Sequence, residues 1–295
     1  WLDLAGQLFA SVPQVTQRHA ILLTDGENNE QPDVLDAAVA RASGVFQCDC
    51  RGVGVEWKVS EIRRIAEALL GTVDIIPEAH QMATAFQEMM RAAMARGVAN
   101  ASLRVWAPQG AQVQFVRQVS PTVEDLSGRR TPVNELTGDY PTGAWADESR
   151  DYHVCVRLPA KAVGQEQLAA RVQLVVGGQS VAQGLVKAKW SSDSELTARI
   201  DQHVAHYTGQ AELAQAIQEG LAAKAAGDEA TATTKLGRAV ALAAETGNEE
   251  ATAKLKKVVE IDNERDGTVR LKKAVAKADE MALDTASTKT TRVKR

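Results

Sequence analysis

Cysteines, aromatic residues and long apolar segments are all scarce in this sequence, and each shortage narrows the choice of protein class. The three cysteines are an odd number and do not make a disulfide framework, so we expect reduced thiols and a cytoplasmic location. No apolar run approaches the about 18 residues of a membrane-spanning helix. The net charge of −4 is too small to indicate binding to nucleic acid or to an acidic substrate. No signal peptide is visible, although a segment preceding Trp1 could carry one.

Familiar catalytic motifs are also absent. The sequence has no Gly-x-x-x-x-Gly-Lys phosphate loop, no Gly-x-Ser-x-Gly elbow and no His-Glu-x-x-His helix. Gly52-Val53-Gly54 lacks the third glycine of a dinucleotide-binding turn. The five histidines are scattered and none lies in a catalytic context.

The most informative stretch of the chain is RHAILLTDGENNE, at residues 18–30. The apolar run Ala20–Leu23 predicts a strand buried on both faces, as in a parallel sheet covered by helices. The strand ends at Thr24-Asp25-Gly26, and Pro32 then begins a helix. A carboxylate at the carboxyl end of such a strand lies where open α/β sheets bind ligands. Asp25 could also simply cap the turn before Gly26.

Asp25 is a candidate ligand for a metal ion, with Glu27 and Asn28 as weaker candidates. A small carboxylate suits Mg²⁺, Ca²⁺ or Mn²⁺ better than Zn²⁺. Hard cations take about six oxygen ligands, whereas Asp25 offers one carboxylate. The sequence therefore predicts a metal site that this chain alone does not complete.

Strands and helices alternate after Asp25, which predicts an α/β domain. The predicted elements are a strand ending in a Gly-x-Gly loop within 44–57, an amphipathic helix at 59–71, a strand at 72–76 and a helix at 80–94. This succession resembles the carboxyl-terminal half of a von Willebrand factor type A (VWA) domain, over residues 1–97. The resemblance rests on ILLTDGENN, the VGVEW loop, EIRRIAEALLG and the AFQEMM helix.

The resemblance implies a non-enzymatic protein-binding or scaffold protein, of the kind found in bacterial multidomain VWA proteins. A bound Mg²⁺ at Asp25 would take a carboxylate from the protein partner. Metal-binding VWA domains also carry Asp-x-Ser-x-Ser after their first strand and a threonine in a later loop, and Asp25 corresponds only to the last member of this set. Two alternatives remain, namely a subunit of an enzyme or ATPase-coupled complex and a structural protein with an inactive metal site.

The first strands of a VWA domain have no counterpart in this sequence, because Trp1 already lies in the helix before the fourth strand. Without them, the strand Ala20–Leu23 would be an unprotected sheet edge. We therefore expect a partner for this edge, which is either a preceding segment of the same domain or a second copy of the chain.

Residues 98–192 change to a period of two, which predicts an antiparallel β-sandwich of the immunoglobulin-like type. Gly177-Gly178 predicts a hairpin turn. The segment 137–151 is rich in glycine, proline and acidic residues, and is predicted to be a long loop that Tyr140 and Trp145 fix to the core. A partner-binding loop is the alternative.

Residues 193–288 predict a helical bundle, followed by a basic, solvated tail at 289–295. Helix breaks are expected at Gly209, Gly227-Asp228 and Gly247-Asn248, and a capping box at Ser192 and Glu195. Three residue pairs have a spacing that could bind a metal, but ordinary core or surface roles are expected for them: Cys48 with Cys50, His153 with Cys155, and His203 with His206.

Overall fold

The computed structural model describes residues 1–293. The α-helices are α1 Leu2–Ala10, α2 Pro32–Ala42, α3 Val59–Ala68, α4 Met82–Met94, α5 Ser194–Ala198, α6 Gln202–Ala225, α7 Glu229–Thr246, α8 Glu249–Val258 and α9 Lys277–Ala286. The strands are β1 His19–Thr24, β2 Gln47–Val53, β3 Val73–Ile76, β4 Val98–Trp106, β5 Gln112–Ser120, β6 Glu124–Asp125, β7 Thr131–Asn134, β8 Thr137–Trp145, β9 Asp151–Arg157, β10 Glu166–Val176, β11 Gln179–Lys189, β12 Val259–Asn263 and β13 Thr268–Leu271.

The amino-terminal part is an α/β unit built on a parallel sheet in the order β1-β2-β3. The central strand β2 directs Cys48 and Cys50 into a core that also holds Phe46 and Trp57. Helix α3 covers this face with its buried apolar residues, because Ile62 and Ile65 recur at helical spacing. The predicted α/β arrangement is confirmed, as is the shared face of Phe46, Cys48 and Cys50.

Strand β1 is less buried than the sequence predicts. Every residue of His19–Thr24 is only partly buried, although the apolar run predicted burial on both faces. The reason is that β1 lies at the edge of the sheet and has a neighbour on one side only. Helix α1 is likewise open to solvent, since Leu4 is 49% and Leu8 62% exposed.

The middle of the chain forms two antiparallel sheets, in the orders β11-β10-β4-β8-β7 and β6-β5-β9. Both sheets contribute to one cluster of buried side chains, with Leu103 and Tyr140 from the first and Val116 from the second. Gly177 and Gly178 both have positive φ, so the predicted hairpin turn joins β10 and β11. That these sheets form a separate immunoglobulin-like domain remains a prediction.

The loop predicted at 137–151 is wrong over most of its length. Residues Thr137–Trp145 are β8, which pairs with β4 on one side and β7 on the other. Its buried positions are filled mostly by small residues, so the sequence lacks the apolar and polar alternation that predicts a strand. Gly143 has a positive φ, and a Cβ there would lie 2.0 Å from the side-chain nitrogen of Gln47 in β2. The backbone of β8 therefore contacts the parallel sheet directly.

The carboxyl-terminal third contains helices, but also a hairpin that the sequence did not predict. Strands β12 and β13 pair in antiparallel fashion within a region predicted to be helical. The turn of this hairpin packs closely against α7. A Cβ added to Gly237 of α7 would lie 2.3 Å from the carbonyl oxygen of Gly267 in the turn. Helix α6 also continues through Gly209, where a break was predicted, because a lone glycine costs only about 1 kcal/mol within a helix.

The predicted capping box at Ser192 and Glu195 is also wrong. Asp193 caps α5 instead, and its carboxylate accepts hydrogen bonds from the backbone N–H groups of Glu195 and Leu196. The Asp193 carboxylate directly precedes the first helical residue, Ser194, and therefore reaches both donors. Whether the helices form a bundle domain with the predicted boundaries remains a prediction.

Residues 277–293, here named the C-terminal segment, are fixed against the β-sheet region rather than solvated as predicted for the tail. The Thr288 carbonyl accepts a hydrogen bond from Val123 N at 2.7 Å, and Thr290 N donates to the Pro121 carbonyl at 2.9 Å. These bonds add a short antiparallel bridge beside β5. The last two residues of the predicted basic tail, Lys294 and Arg295, lie outside the described residues.

The same segment also contacts the parallel sheet. Lys289 Nζ lies 2.8 Å from the Asp74 carboxylate in β3. Arg63 of α3 donates to the side chain of Asp284 at 2.8 Å. Met281 of α9 belongs to the buried cluster of the α/β unit. One segment at the end of the chain therefore joins the parallel sheet to the antiparallel sheets.

Asn248 links the C-terminal segment to the helices. Its side chain is buried, caps α8 through Ala251 N at 3.0 Å and donates to Gln210 Oε1 at 3.0 Å. It also donates to the Lys289 carbonyl at 3.4 Å.

We predict that Asn248→Ala lowers the free energy of unfolding by about 2–4 kcal/mol, because a cap is lost and a buried amide loses its partner. Urea denaturation would measure the loss. Asp228→Ala is the matched control, since Asp228 caps α7 through Thr231 N and is exposed. Equal losses in the two variants would contradict a role for Asn248 beyond capping.

Candidate functional site

The first candidate site lies at the carboxyl edge of the parallel sheet, where β1 ends. Thr24 Oγ1 donates to the Gly26 carbonyl at 3.0 Å and accepts from Gly26 N at 3.4 Å. This tight turn places Asp25 on the surface, where it is exposed. The position matches the prediction that Asp25 follows a parallel strand at its carboxyl end.

The weaker candidates Glu27 and Asn28 are held against helix α3. Glu27 forms an ion pair with Lys58 at 2.7 Å, and the hydrogen bond to Glu27 raises the pKa of Lys58. Asn28 N donates to Glu61 Oε2 at 3.2 Å. These contacts direct Glu27 toward a lysine, so a metal at Asp25 would compete with Lys58 for this carboxylate.

The neighbouring loop after β2 has a fixed shape. The indole of the buried Trp57 packs on Gly52, where an added Cβ would lie 1.8 Å from a ring atom. Trp57 Nε1 donates to the Gly54 carbonyl at 3.0 Å, and Gly54 has a φ of 68°. The VGVEW loop therefore needs both glycines to bring the backbone close to Trp57.

The described residues do not assemble a complete metal site at this edge. No group of three or more histidine, cysteine, aspartate or glutamate side chains within residues 1–293 could hold a metal ion. Since Mg²⁺ prefers an octahedron of about six oxygen ligands, Asp25 would need ligands from elsewhere. The structure brings none of the three candidates, Asp25, Glu27 and Asn28, into a ligand cluster.

The three residue pairs with metal-like spacing differ in burial. Cys48 and Cys50 are buried, His153 and Cys155 are partly buried, and the third pair joins exposed His203 to partly buried His206. The Sγ atoms of Cys48 and Cys50 are 3.9 Å apart, and the hydrogen bond with Cys48, together with burial, raises the pKa of the Cys50 thiol. Burial and the nearby Arg117 lower the pKa of His153. His206 Nε2 lies 2.9 Å from the Thr291 carbonyl, so that ring contacts the C-terminal segment.

A second candidate site lies along the unpaired edge of β1. We name it the β1 groove; it has a volume of about 480 Å³ and is lined by Phe9, Gln17, His19, Ile21, Phe86, Met90, Ala93 and Met94. Helix α4 presents a stripe of large apolar side chains here, at intervals of four residues. Their exposed fractions are 41% for Met82, 43% for Phe86, 39% for Met90 and 80% for Met94. That spacing is visible in the sequence, where it indicated a helix face but not its lack of cover.

A buried charged network lies beside the β1 groove and joins the three parallel strands. Asp49 of β2 accepts hydrogen bonds from His19 Nε2 at 2.8 Å, Arg96 at 3.0 Å and both the backbone and hydroxyl of Thr72 at 2.7 and 2.8 Å. Burial alone would raise the pKa of Asp49, but these donors lower it well below its usual range. No sequence pattern predicted this network, because its members are far apart in the chain.

Comparison with known proteins gives a match of high identity that covers nearly the whole chain. A solved structure described as a von Willebrand factor type A protein from Catenulispora acidiphila is 51% identical, with a TM-score of 0.94. The match covers 99% of this chain and 70% of that chain. The family model for the von Willebrand factor type A C-terminal domain matches residues 241–287. No curated protein sequence matches the chain.

Two further solved structures are distantly similar. The human COPII-coat protein Sec24c is 9% identical with a TM-score of 0.53, over 98% of this chain and 41% of that chain, a likeness of fold alone. The ArnB paralog VWA2 from Sulfolobus acidocaldarius is 15% identical with a TM-score of 0.49, over 92% of this chain and 63% of that chain. Within residues 1–293, no helix has both the length and the apolar character needed to cross a membrane.

We predict that Asp49→Asn lowers the free energy of unfolding at pH 7 by about 3–5 kcal/mol, because it leaves the partly buried Arg96 without its carboxylate. The folded pKa of Asp49 lies below the unfolded value of about 3.9, so its contribution is present above that pH and lost as the pH falls below it.

The wild type should therefore lose more stability than Asp49→Asn as the pH falls below about 4, as measured by urea denaturation at several pH values. Asp3→Asn is the control, because the Asp3–Arg41 pair is exposed and its loss should have no measurable effect. Parallel pH profiles for the wild type and Asp49→Asn would contradict the assignment.

Proposed function

Because the chain belongs to the von Willebrand factor type A family, we propose that it is a non-enzymatic protein-binding or scaffold protein. Members of this family commonly mediate protein–protein interaction. The observation that carries the proposal is the β1 groove, where an unpaired strand edge lies beside the apolar stripe of α4. Edges and apolar surfaces of this kind are typical of sites that take an extended protein segment.

The proposed occupant of the β1 groove is a strand from a preceding segment of the same polypeptide. It would pair its backbone with the free N–H and C=O groups of β1 and cover Phe86 and Met90 of α4. Each fully buried apolar side chain contributes about 1.5–3 kcal/mol. This chain spans 70% of the Catenulispora acidiphila relative. That relative therefore contains residues beyond the matched part, as the proposal requires. A second copy of the chain is the alternative occupant.

The partner-binding surface of the completed sheet is proposed to be its carboxyl edge at Asp25. The exposed carboxylate would contribute to a Mg²⁺ site, or to one for Ca²⁺ or Mn²⁺, with the remaining ligands supplied by the preceding segment. The ion would then bind a carboxylate of the protein partner. Glu27 and Asn28 would contribute further oxygen ligands after Lys58 releases Glu27.

A role as a subunit of an enzyme or ATPase-coupled complex, or as a structural protein with an inactive metal site, is the alternative. Within residues 1–293, no histidine belongs to a group of three or more side chains that could hold a metal ion. We further propose a bacterial protein that works in the cytoplasm, where its cysteines stay reduced. The sandwich and the helical bundle are proposed to act as attached modules that orient the binding edge.

We predict that β1 is protected from hydrogen exchange only when the preceding segment is present. Residues 1–295 would be compared with a longer polypeptide that includes the proposed preceding segment. Peptides covering His19–Thr24 should exchange markedly more slowly in the longer polypeptide, because a new strand would bond their free N–H groups. Peptides covering Gln47–Val53 are the internal control, since β2 already has two neighbours.

Equal exchange of β1 in the two polypeptides would contradict the proposed occupant. Slow exchange in residues 1–295 that becomes fast on dilution would identify a second copy in the groove instead. The variant Phe86→Glu should remove the protection in either case, because it places a charge on the apolar stripe.

We predict that residues 1–295 bind Mg²⁺ weakly and that the longer polypeptide binds it tightly. Isothermal calorimetry would measure both affinities. In the longer polypeptide, Asp25→Ala should abolish tight binding, whereas Glu27→Ala should have a smaller effect because Glu27 is paired with Lys58. Tight binding by residues 1–295 that persists in Asp25→Ala would show that the metal site is not at Asp25.

A further inference from the structure

Strand β11 is a second unpaired edge, far along the chain from β1. It is the outermost strand of the five-stranded sheet and pairs only with β10. Ten of its eleven residues are exposed, with apolar side chains among them. The exposed fractions are 59% for Val181, 53% for Leu185 and 47% for Val186. An edge this long and this open is a template for pairing with another strand.

The charges on β11 stand at one end of the strand. Gln179–Val186 has no charged side chain, and Lys187 and Lys189 follow it. The pairing with β10 is regular over Ala182–Val186. An irregularity lies at each end of this stretch, one where Val181 lacks a partner and one beside Lys187. Lysines and bulges usually discourage edge pairing, but here both lie outside the five residues Ala182–Val186.

We propose that β11 pairs with β11 of a second copy of this chain. The two strands would run antiparallel about a two-fold axis at Gly184, the middle of the regular stretch. Ala182 would then face Val186 of the second copy, and Gln183 would face Leu185, so apolar side chains meet on one face. The two five-stranded sheets would become one continuous sheet.

Charge repulsion does not oppose this occupant. In the two-fold arrangement Lys187 lies opposite Val181 of the second copy and Lys189 lies opposite Gln179. The two Lys187 side chains are then six residues apart along the strands, or about 20 Å at roughly 3.3 Å per residue. This separation exceeds the Debye length of about 8 Å at physiological ionic strength, so the like charges are screened. The arrangement also closes on itself and leaves no further β11 edge exposed.

Cysteine crosslinking tests the pairing directly. Gly184→Cys would be made in a Cys155→Ser background, because Cys48 and Cys50 are buried and Cys155 is partly exposed. An added Cβ at Gly184 meets no other atom within 4 Å, so the variant should fold. Facing residues of antiparallel strands have Cβ atoms about 4.5–5.5 Å apart, within reach of a short bifunctional maleimide.

Gln179→Cys in the same background is the matched control. It lies on the same strand and is exposed, but its two copies would be about 33 Å apart at roughly 3.3 Å per residue. We expect covalent dimer from Gly184→Cys and none above background from Gln179→Cys. Equal crosslinking of both variants, or of neither, would overturn the proposal.

Light scattering over a range of concentrations provides a second test that does not depend on the cysteines. The wild type should gain mass toward a dimer as concentration rises, and Leu185→Lys should raise the dissociation constant by about tenfold, because it brings like charges together near the axis. Leu196→Lys on α5 is the control, since Leu196 is 62% exposed and lies off the edge.

Phe86→Glu separates this proposal from pairing through the β1 groove. A dimer that survives Phe86→Glu and is lost in Leu185→Lys supports the β11 interface. A dimer lost in Phe86→Glu alone, or a wild type that stays monomeric at every concentration, would overturn it.

Discussion

A single buried carboxylate holds the parallel sheet together. Asp49 receives donors from the start of β1, from the residue before β3 and from Arg96 beyond α4. A sheet of three strands buries little apolar surface on its open side, so hydrogen bonds to a charged group matter more here than in a wider sheet. The same network stands next to the β1 groove. The edge that is left unpaired is therefore already fixed in position before any strand is added to it.

The C-terminal segment is the second constraint on the structure. Met281 packs in the core of the α/β unit, Thr290 bonds to the turn after β5, and Thr291 accepts a hydrogen bond from Gln210 of α6. Contacts to three regions through one short segment leave little freedom for those regions to move independently. The close approach of Gly143 to Gln47 acts in the same direction, because a Cβ at Gly143 would displace the Gln47 side-chain amide that packs on β8.

The sequence predicted those elements whose burial comes from an apolar pattern. Ala20–Leu23 identified β1, and the spacing of Ile62 and Ile65 identified α3. Strand β8 was missed because small residues and glycines fill its buried positions, so no apolar alternation marks it. The β12-β13 hairpin was missed because its strands are stabilised by pairing with each other rather than by local helix propensity.

The sequence predicted where Asp25 lies, but not which contacts the neighbouring candidate residues make. Asp25 follows β1 at the carboxyl edge, as a strand ending in Thr-Asp-Gly indicates. The ion pair between Glu27 and Lys58 was not predicted. Helix α2 and strand β2 separate these two residues in the sequence. The β1 groove was also outside the reach of pattern reasoning. The stripe from Met82 to Met94 predicts a helix face, whereas the lack of anything covering that face is a property of the folded chain.

The position of Met281 in the amino-terminal core has a consequence for how the protein is made. Strand β3 ends at Ile76, so about 200 residues separate it from the methionine that fills its core. On a ribosome that adds roughly 5–20 residues per second, the sheet would wait about 10–40 s for that side chain. During this interval the surface that Met281 later covers stays open to water and to other nascent chains. The parallel sheet is thus completed only after the rest of the chain up to Met281 has been synthesised, and its exposure to chaperones is set by the number of residues in between.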